Sequence, residues 1–207
     1  MKLLRWRLVS TQETLDRLYR TKLKGFGNPL IYASSYLQLK ESVPTDLLIP
    51  AQRYVLNENI ETILELRKQF DRQGINIFRL DGAIFFYIER NGVVEGPIPL
   101  LPPIVEEARD AQGQTFWLIN DGMHRVSAAR RCNSPINIIL AENVPTEYPY
   151  YAKPLTNGWS GVEELEFIPE GFVKKEYTDP VNYKSLFRDF NEVFSGIQTS
   201  RASVPVT

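Results

Sequence analysis

Histidine and cysteine are almost absent from this 207-residue sequence: His124 and Cys132 are the sole copies of each. One cysteine cannot form an internal disulfide, and one histidine with one cysteine excludes a zinc centre built from those ligands. A magnesium ion held by carboxylates and substrate phosphates remains compatible with the composition. Net charge is scarce as well. Lysine and arginine number 24 against 25 aspartates and glutamates, a balance of −1, so no global positive field draws the chain to nucleic acid or to an anionic membrane. Any basic function must therefore be local. No stretch approaches the roughly 20 apolar residues of a membrane span, and the opening MKLLRWRLVS is broken by Arg5 and Arg7, so it lacks the apolar centre of a signal peptide. No internal repeat or low-complexity tract is present. What remains is ordinary globular composition, 43% hydrophobic and 24% charged, expected in a reducing cytoplasm with Cys132 as a buried, inert thiol.

The length suits one domain with elaborations, or two small ones, and one core is the simpler expectation. Residues 3–9 read as a strand, and Ser10-Thr11-Gln12-Glu13 has the spacing of a capping box that opens a helix. Leu15, Leu18, Tyr19 and Leu23 supply its apolar stripe, and residues 1–45 read as an accessory strand and helix. Leu47 to Ile49 suggest an edge strand. Asn57 is placed to cap a helix with Glu58 and Glu61 in its first turn and Gly74 as its stop. INIFRL and AIFFYIER, joined by Asp81-Gly82, read as a hairpin, with Asn91-Gly92 as a second turn. Pro97, Pro99, Pro102 and Pro103 confine the next pairing to a sheet edge or delay it to Ile104. PPIVEEA and TFWLIN flank DAQGQ as another hairpin; VSAARRC reads as a helix and INIILAENV as a buried strand. Residues 146–207 form an aromatic-rich extension expected to pack on the core. It includes a helix over NYKSLFRDFNEVF, whose apolar face suits core or dimer surface, and ends in a tail, QTSRASVPVT. The pattern is α+β, a mixed sheet with flanking helices.

The chemistry concentrates in WLINDGMHRVSAAR, residues 117–130. A strand followed by Asp121-Gly122 and a helix start generates an anion site: glycine permits the tight turn, the first helical amides lack partners, and the helix dipole favours negative charge. Phosphate is the natural guest. His124 and Arg125 in the first turn could donate to its oxygens, Arg125 in bidentate fashion. Asp121 would repel phosphate directly, so it suits a magnesium ligand, a general base or the residue that orients His124. The alternative is purely structural, with Asp121 as a cap, His124 packed on the sheet and Arg125 solvated.

The string LINDGMHRVSAARR, preceded by a hairpin and followed by INIILAENV, resembles the signature segment of the ParB/sulfiredoxin superfamily, and IPAQRYVLNENIETILELRKQFDRQG resembles its upstream segment. Together they span about residues 46–145, which the resemblance makes a nucleotide-binding core. It implies a nucleotide, ATP or ADP or else CTP, with its phosphates on Gly122, Met123, His124, Arg125 and the helix start. Sulfiredoxins carry a catalytic cysteine where this chain has Met123. Chromosome-partition ParB proteins bind CTP and add a helix-turn-helix domain, which the irregular residues after 145 do not suggest; a DNA clamp also sits poorly with the charge balance. The free-serine kinases share the aspartate, histidine and arginine, here Asp121, His124 and Arg125, and place a glutamate before the upstream helix as base. Glu58 is the nearest glutamate, whereas Gln52-Arg53 lies closer to that position. The resemblance thus implies a small-molecule kinase or nucleotide hydrolase acting on a hydroxylated acceptor, with Asp121, His124 and Glu58 as catalytic candidates and magnesium on Asp121. The competing class is a non-catalytic nucleotide-dependent or DNA-associated module.

Several other residues have two readings. Arg53 could reach a phosphate or be a surface arginine, and Ser127 could bond a phosphate or only the backbone. Glu106 and Glu107 point to opposite faces of one strand and suit a solvated or edge role. Tyr150, Tyr151, Lys153 and Trp159 could stack a base or close over a substrate, or simply pack between the core and the C-terminal helix.

Overall fold

The apolar alternation of the strands and the 3.6-residue stripes of the helices produce an α+β arrangement of mixed sheets and helices. The computed structural model describes residues 1–110 and 112–195, so the tail expected over 198–207 lies outside the described residues. In chain order the elements are β1 (Lys2–Val9), α1 (Thr11–Leu18), β2 (Tyr36–Val43), β3 (Leu48–Ile49), β4 (Tyr54–Leu56), α2 (Asn57–Asp71), β5 (Ala83–Arg90), β6 (Val93–Leu100), β7 (Ile104–Arg109), β8 (Thr115–Asp121), α3 (Met123–Arg131), β9 (Ile136–Glu142), β10 (Glu163–Leu165) and α4 (Phe190–Val193). Among the described residues no helix is long and apolar enough to cross a membrane.

A five-stranded sheet in the order β2-β9-β7-β8-β3 organises the molecule. β9 runs parallel to β7 and β3 parallel to β8; β2 with β9 and β7 with β8 are antiparallel. Its interior strand β9 is buried on both faces, as INIILA suggested. Ile136, Ile138 and Leu140 face one apolar cluster with α2, α3 and β5, whereas Ile139 and Ala141 face a second with α1, β2 and α4. A three-stranded antiparallel sheet, β1-β5-β6, packs beside it. β6 forms its edge, which accommodates Pro97 and Pro99 because an edge strand has amides that need no ladder partner.

Helix α1 begins as its capping residues predict, with the Ser10 hydroxyl accepting the Glu13 amide at 3.2 Å. Three expectations are corrected. Asn57 is the first residue of α2 and not its cap: Leu56 is the capping residue, and the Asn57 side chain instead donates to Glu166 and accepts from Arg131. INIFRL is not a strand, because β1, at the N-terminus, pairs with β5 and occupies the position a hairpin partner would need. Residues 75–80 form turns that sink Ile77, Phe78 and Leu80 into the core. NYKSLFRDFNEVF is not one helix. A 3-10 turn over Tyr183–Leu186 and the short α4 are separated by extended backbone, since Arg188 must turn inward to reach Glu106.

That contact overturns the solvated reading of Glu106. Glu106 is buried, its carboxylate accepting from Arg188 Nε at 2.9 Å and Nη2 at 3.0 Å, from the Tyr32 hydroxyl at 2.7 Å and from Asn120 Nδ2 at 2.7 Å. Burial alone would lower the Arg188 pKa, but the Glu106 charge outweighs it and holds the guanidinium above its usual value. Arg188 also donates to the carbonyls of Tyr148, Pro149 and Leu186, so it fastens the C-terminal extension to the strand beside β8. Cys132, expected to be buried, is half-buried at the end of α3.

Candidate functional site

β8 ends at Asp121, and α3 begins two residues later; the intervening Gly122 adopts φ 92° and ψ 20°, in the left-handed region. A side chain there would be strained by its backbone. It would also collide, because a Cβ would lie 2.8 Å from Arg125 Nη2 and 2.9 Å from Pro103 Cβ. Glycine is therefore required both by the turn and by the arginine folded against it.

The Arg125 guanidinium bonds Asp121 Oδ2, one helical turn earlier, and the Leu101 carbonyl. Burial lowers its pKa, and the Asp121 carboxylate opposes that shift. His124 turns toward α2. Its Nε2 accepts from the Leu56 amide at 3.4 Å and lies 3.4 Å from Asn59 Nδ2. An imidazole accepting at Nε2 is neutral with its proton on Nδ1, leaving Nδ1–H as its donor. Its pKa agrees: burial first, then the charge of Lys174 and that of Arg125, bring it down to about 4 against the opposing pull of Asp121.

Neither α2 nor α3 has a side-chain cap. The His124 contact brings their first turns together, so two sets of unpaired amides and two positive dipole ends meet at one place. Facing it is a pair that the sequence reading missed, Lys174 and Lys175, in the C-terminal extension. Lys175 is buried at 9% exposure, and its ammonium donates to the hydroxyls of Tyr150 at 2.8 Å and Tyr151 at 2.5 Å. It forms no ion pair among the described residues. Burial, assisted by the charge of Lys174 and opposed by Asp121, lowers its pKa to about 7. Partial desolvation lowers Lys174 as well, again against Asp121. Burial raises the Tyr151 hydroxyl to about 12 and the Tyr150 hydroxyl well above its usual value. The Tyr150 hydroxyl donates to the Asn120 carbonyl at 3.1 Å, and Asn120 in turn binds Glu106, so the lysine pocket and the Arg188 network are continuous.

The remaining candidates are distributed as follows. Met123 opens α3 and points into the main core. The Ser127 hydroxyl is buried and donates to the Met123 carbonyl at 2.9 Å. Glu58 is exposed on the first turn of α2. The Arg53 side chain lies 3.5 Å from Glu176, while its backbone amide donates to the Lys174 carbonyl at 2.9 Å and so anchors the lysine segment. Glu107 is half-buried. Tyr150 and Tyr151 pack with their ring centroids 4.4 Å apart, Lys153 pairs with Glu176 at 2.6 Å, and Trp159 Nε1 donates to the Leu48 carbonyl at 2.7 Å. Among the described residues no three histidine, cysteine, aspartate or glutamate side chains gather as a metal site. Asp121, the candidate magnesium ligand, has its Oδ2 engaged by Arg125.

A mixed sheet whose β8 passes through a left-handed glycine into an uncapped helix, with lysines facing the turn, defines an α+β domain with a strand–glycine–helix turn. The sequence matches the family described as ParB CE domain over residues 13–163, and the chain belongs to that family. The match takes in β2 through β9 and the whole of the turn, whereas Lys174, Lys175 and Arg188 lie beyond it. No curated protein matches the chain.

Proposed function

We propose that the turn at Asp121 to Arg125, together with Lys174 and Lys175, holds the phosphates of a nucleotide, ATP, ADP or CTP. Lys175 carries this reading. An ammonium buried against two phenols forms no ion pair with a carboxylate among the described residues, and Asp121 offsets its charge only in part. Burying an unpaired ammonium costs several kcal/mol, and a bound phosphate offsets that cost by supplying the missing charge and strong acceptors. The α3 amides and the His124 Nδ1–H add donors of the kind that phosphate takes at a helix N-terminus. Isothermal titration with ATP, ADP and CTP tests the reading: binding to at least one, weakened tenfold or more by Lys175→Met, is expected. Failure of all three to bind overturns it.

Phosphoryl transfer to a small hydroxylated acceptor is the second reading, favoured by Asp121. Only its Oδ2 meets Arg125, and the side chain keeps about a third of its exposure. Its Oδ1 would accept the proton of the acceptor hydroxyl as that oxygen bonds the terminal phosphorus and the bridging P–O bond breaks, releasing the nucleoside diphosphate. Asp121→Asn is expected to abolish transfer while the nucleotide still binds; wild-type turnover in that variant refutes the role. Binding with no turnover in the wild-type chain assigns instead a non-catalytic nucleotide-dependent module.

A further inference from the structure

The edge strand β1 carries Arg5 and Arg7 two residues apart, hence on one face of the β1-β5-β6 sheet. The register sets Arg5 opposite Tyr87 and Arg7 opposite Phe85. Each guanidinium lies over its partner's ring, Arg5 at 4.1 Å from the Tyr87 centroid and Arg7 at 5.5 Å from that of Phe85. Arg17 reaches from α1 to the same Phe85 ring at 5.5 Å. These groups line a depression of about 490 Å³ that has three arginines and, among the described residues, no carboxylate in its wall. Arg17 pairs with Glu13 at 2.7 Å, but Arg5 and Arg7 form no ion pair among the described residues and are exposed. In a chain of net charge −1 this is a concentrated local excess of positive charge.

We infer that this face binds single-stranded nucleic acid. The repeat of the ladder supports that occupant: side chains at i and i+2 of a strand stand about 6.7 Å apart, comparable with the advance of an extended nucleic-acid strand per nucleotide, so Arg5 and Arg7 can address successive phosphates. The rings supply the other half. Tyr87 and Phe85 carry the rings on which the arginines stack, and a guanidinium already stacked on an aromatic ring presents its outer plane to a base. A duplex keeps its bases stacked within and cannot use the rings. An acidic peptide would engage the cations and leave the aromatic component idle. The face is formed by other residues than the nucleotide turn and is independent of it.

The test is fluorescence anisotropy with labelled dT12 and U12 between 50 and 200 mM salt. Binding to either strand and a slope of log affinity against log salt of roughly −1.4 to −2.1, the value for two or three phosphates on a single strand, are expected. Arg5→Gln with Arg7→Gln should weaken binding tenfold or more, and Tyr87→Ser should weaken it while leaving any binding of a poly-glutamate peptide unchanged. Circular dichroism checks that the variants fold, and Lys175→Met, which alters only the nucleotide turn, should bind the oligonucleotides as the wild type does. Absence of binding at 50 mM salt, unchanged affinity in the double arginine variant, or equal affinity for poly-glutamate or for a duplex of the same length overturns the inference.

Discussion

Replacing Arg188 with methionine removes the cation but keeps most of the side-chain bulk. In the wild type, Arg188 and Glu106 expose 1% and 4% of their side chains and are joined by two charge-assisted hydrogen bonds. The variant leaves the Glu106 carboxylate buried, with Tyr32 and Asn120 as its remaining donors, and strips a donor from three carbonyls, those of Tyr148, Pro149 and Leu186. Removing one partner of a buried pair costs about 3–5 kcal/mol. In a chain of this size each kcal/mol shifts the melting temperature by about 2–4 °C, so Arg188→Met should melt about 6–20 °C below the wild type. Thermal denaturation by circular dichroism, with urea unfolding to give the free energy, reads both quantities. Adding Glu106→Gln to Arg188→Met removes the stranded charge and should recover part of the loss, which gives a coupling energy between the two sites. A loss below about 1 kcal/mol in Arg188→Met, or no recovery in the double variant, would refute the claim that this pair fastens the C-terminal extension to the sheet.

Gly122→Ala should destabilise the chain by about 1–3 kcal/mol, since it combines left-handed strain with a Cβ 2.8 Å from Arg125 Nη2, and should also weaken nucleotide binding; chemical denaturation and titration calorimetry check the two effects. His124 gives a pH signature. Its folded pKa of about 4 lies below the unfolded value of about 6.5, so its contribution is complete above pH 6.5 and is lost as pH falls toward 4. His124→Gln should flatten the stability profile in that window, measured as urea midpoints at half-unit steps of pH. Lys175 acts in a different window. With a folded pKa of about 7 and an unfolded value near 10.4, the unfolded chain binds more protons between them, and stability should rise with pH across that range in the wild type but not in Lys175→Met. The same group should take up a proton when phosphate binds at pH 8, detected as a dependence of calorimetric heat on the buffer's ionisation enthalpy.

Local signals made the turn legible in the sequence. The apolar run TFWLIN, the Asp121-Gly122 turn and the small residues of VSAARRC define β8, Gly122 and α3 without reference to any distant segment. The capping box at Ser10 and the Asn91-Gly92 turn between β5 and β6 are equally local. What escaped was set by distance along the chain. INIFRL has the letters of a strand, but β1, more than 70 residues earlier, wins the pairing with β5. Glu106 looked solvated because its partner Arg188 lies 82 residues away. Lys174 and Lys175 stand as an ordinary charged pair in FVKKEYT; only the flanking Phe172 and Tyr177 hinted that one lysine would face inward, and its two tyrosine partners lie 24 and 25 residues upstream.

The central claim, that α3's first turn and Lys175 form one phosphate site, is met most directly by a crystal structure of the chain soaked with ADP at saturating concentration. The terminal phosphate is expected within hydrogen-bond distance of the amides of Met123 to Arg125 and of Lys175 Nζ, with the phenol contacts of Lys175 lengthened. A nucleotide bound with its phosphates elsewhere, or a turn that remains empty under those conditions, would contradict it.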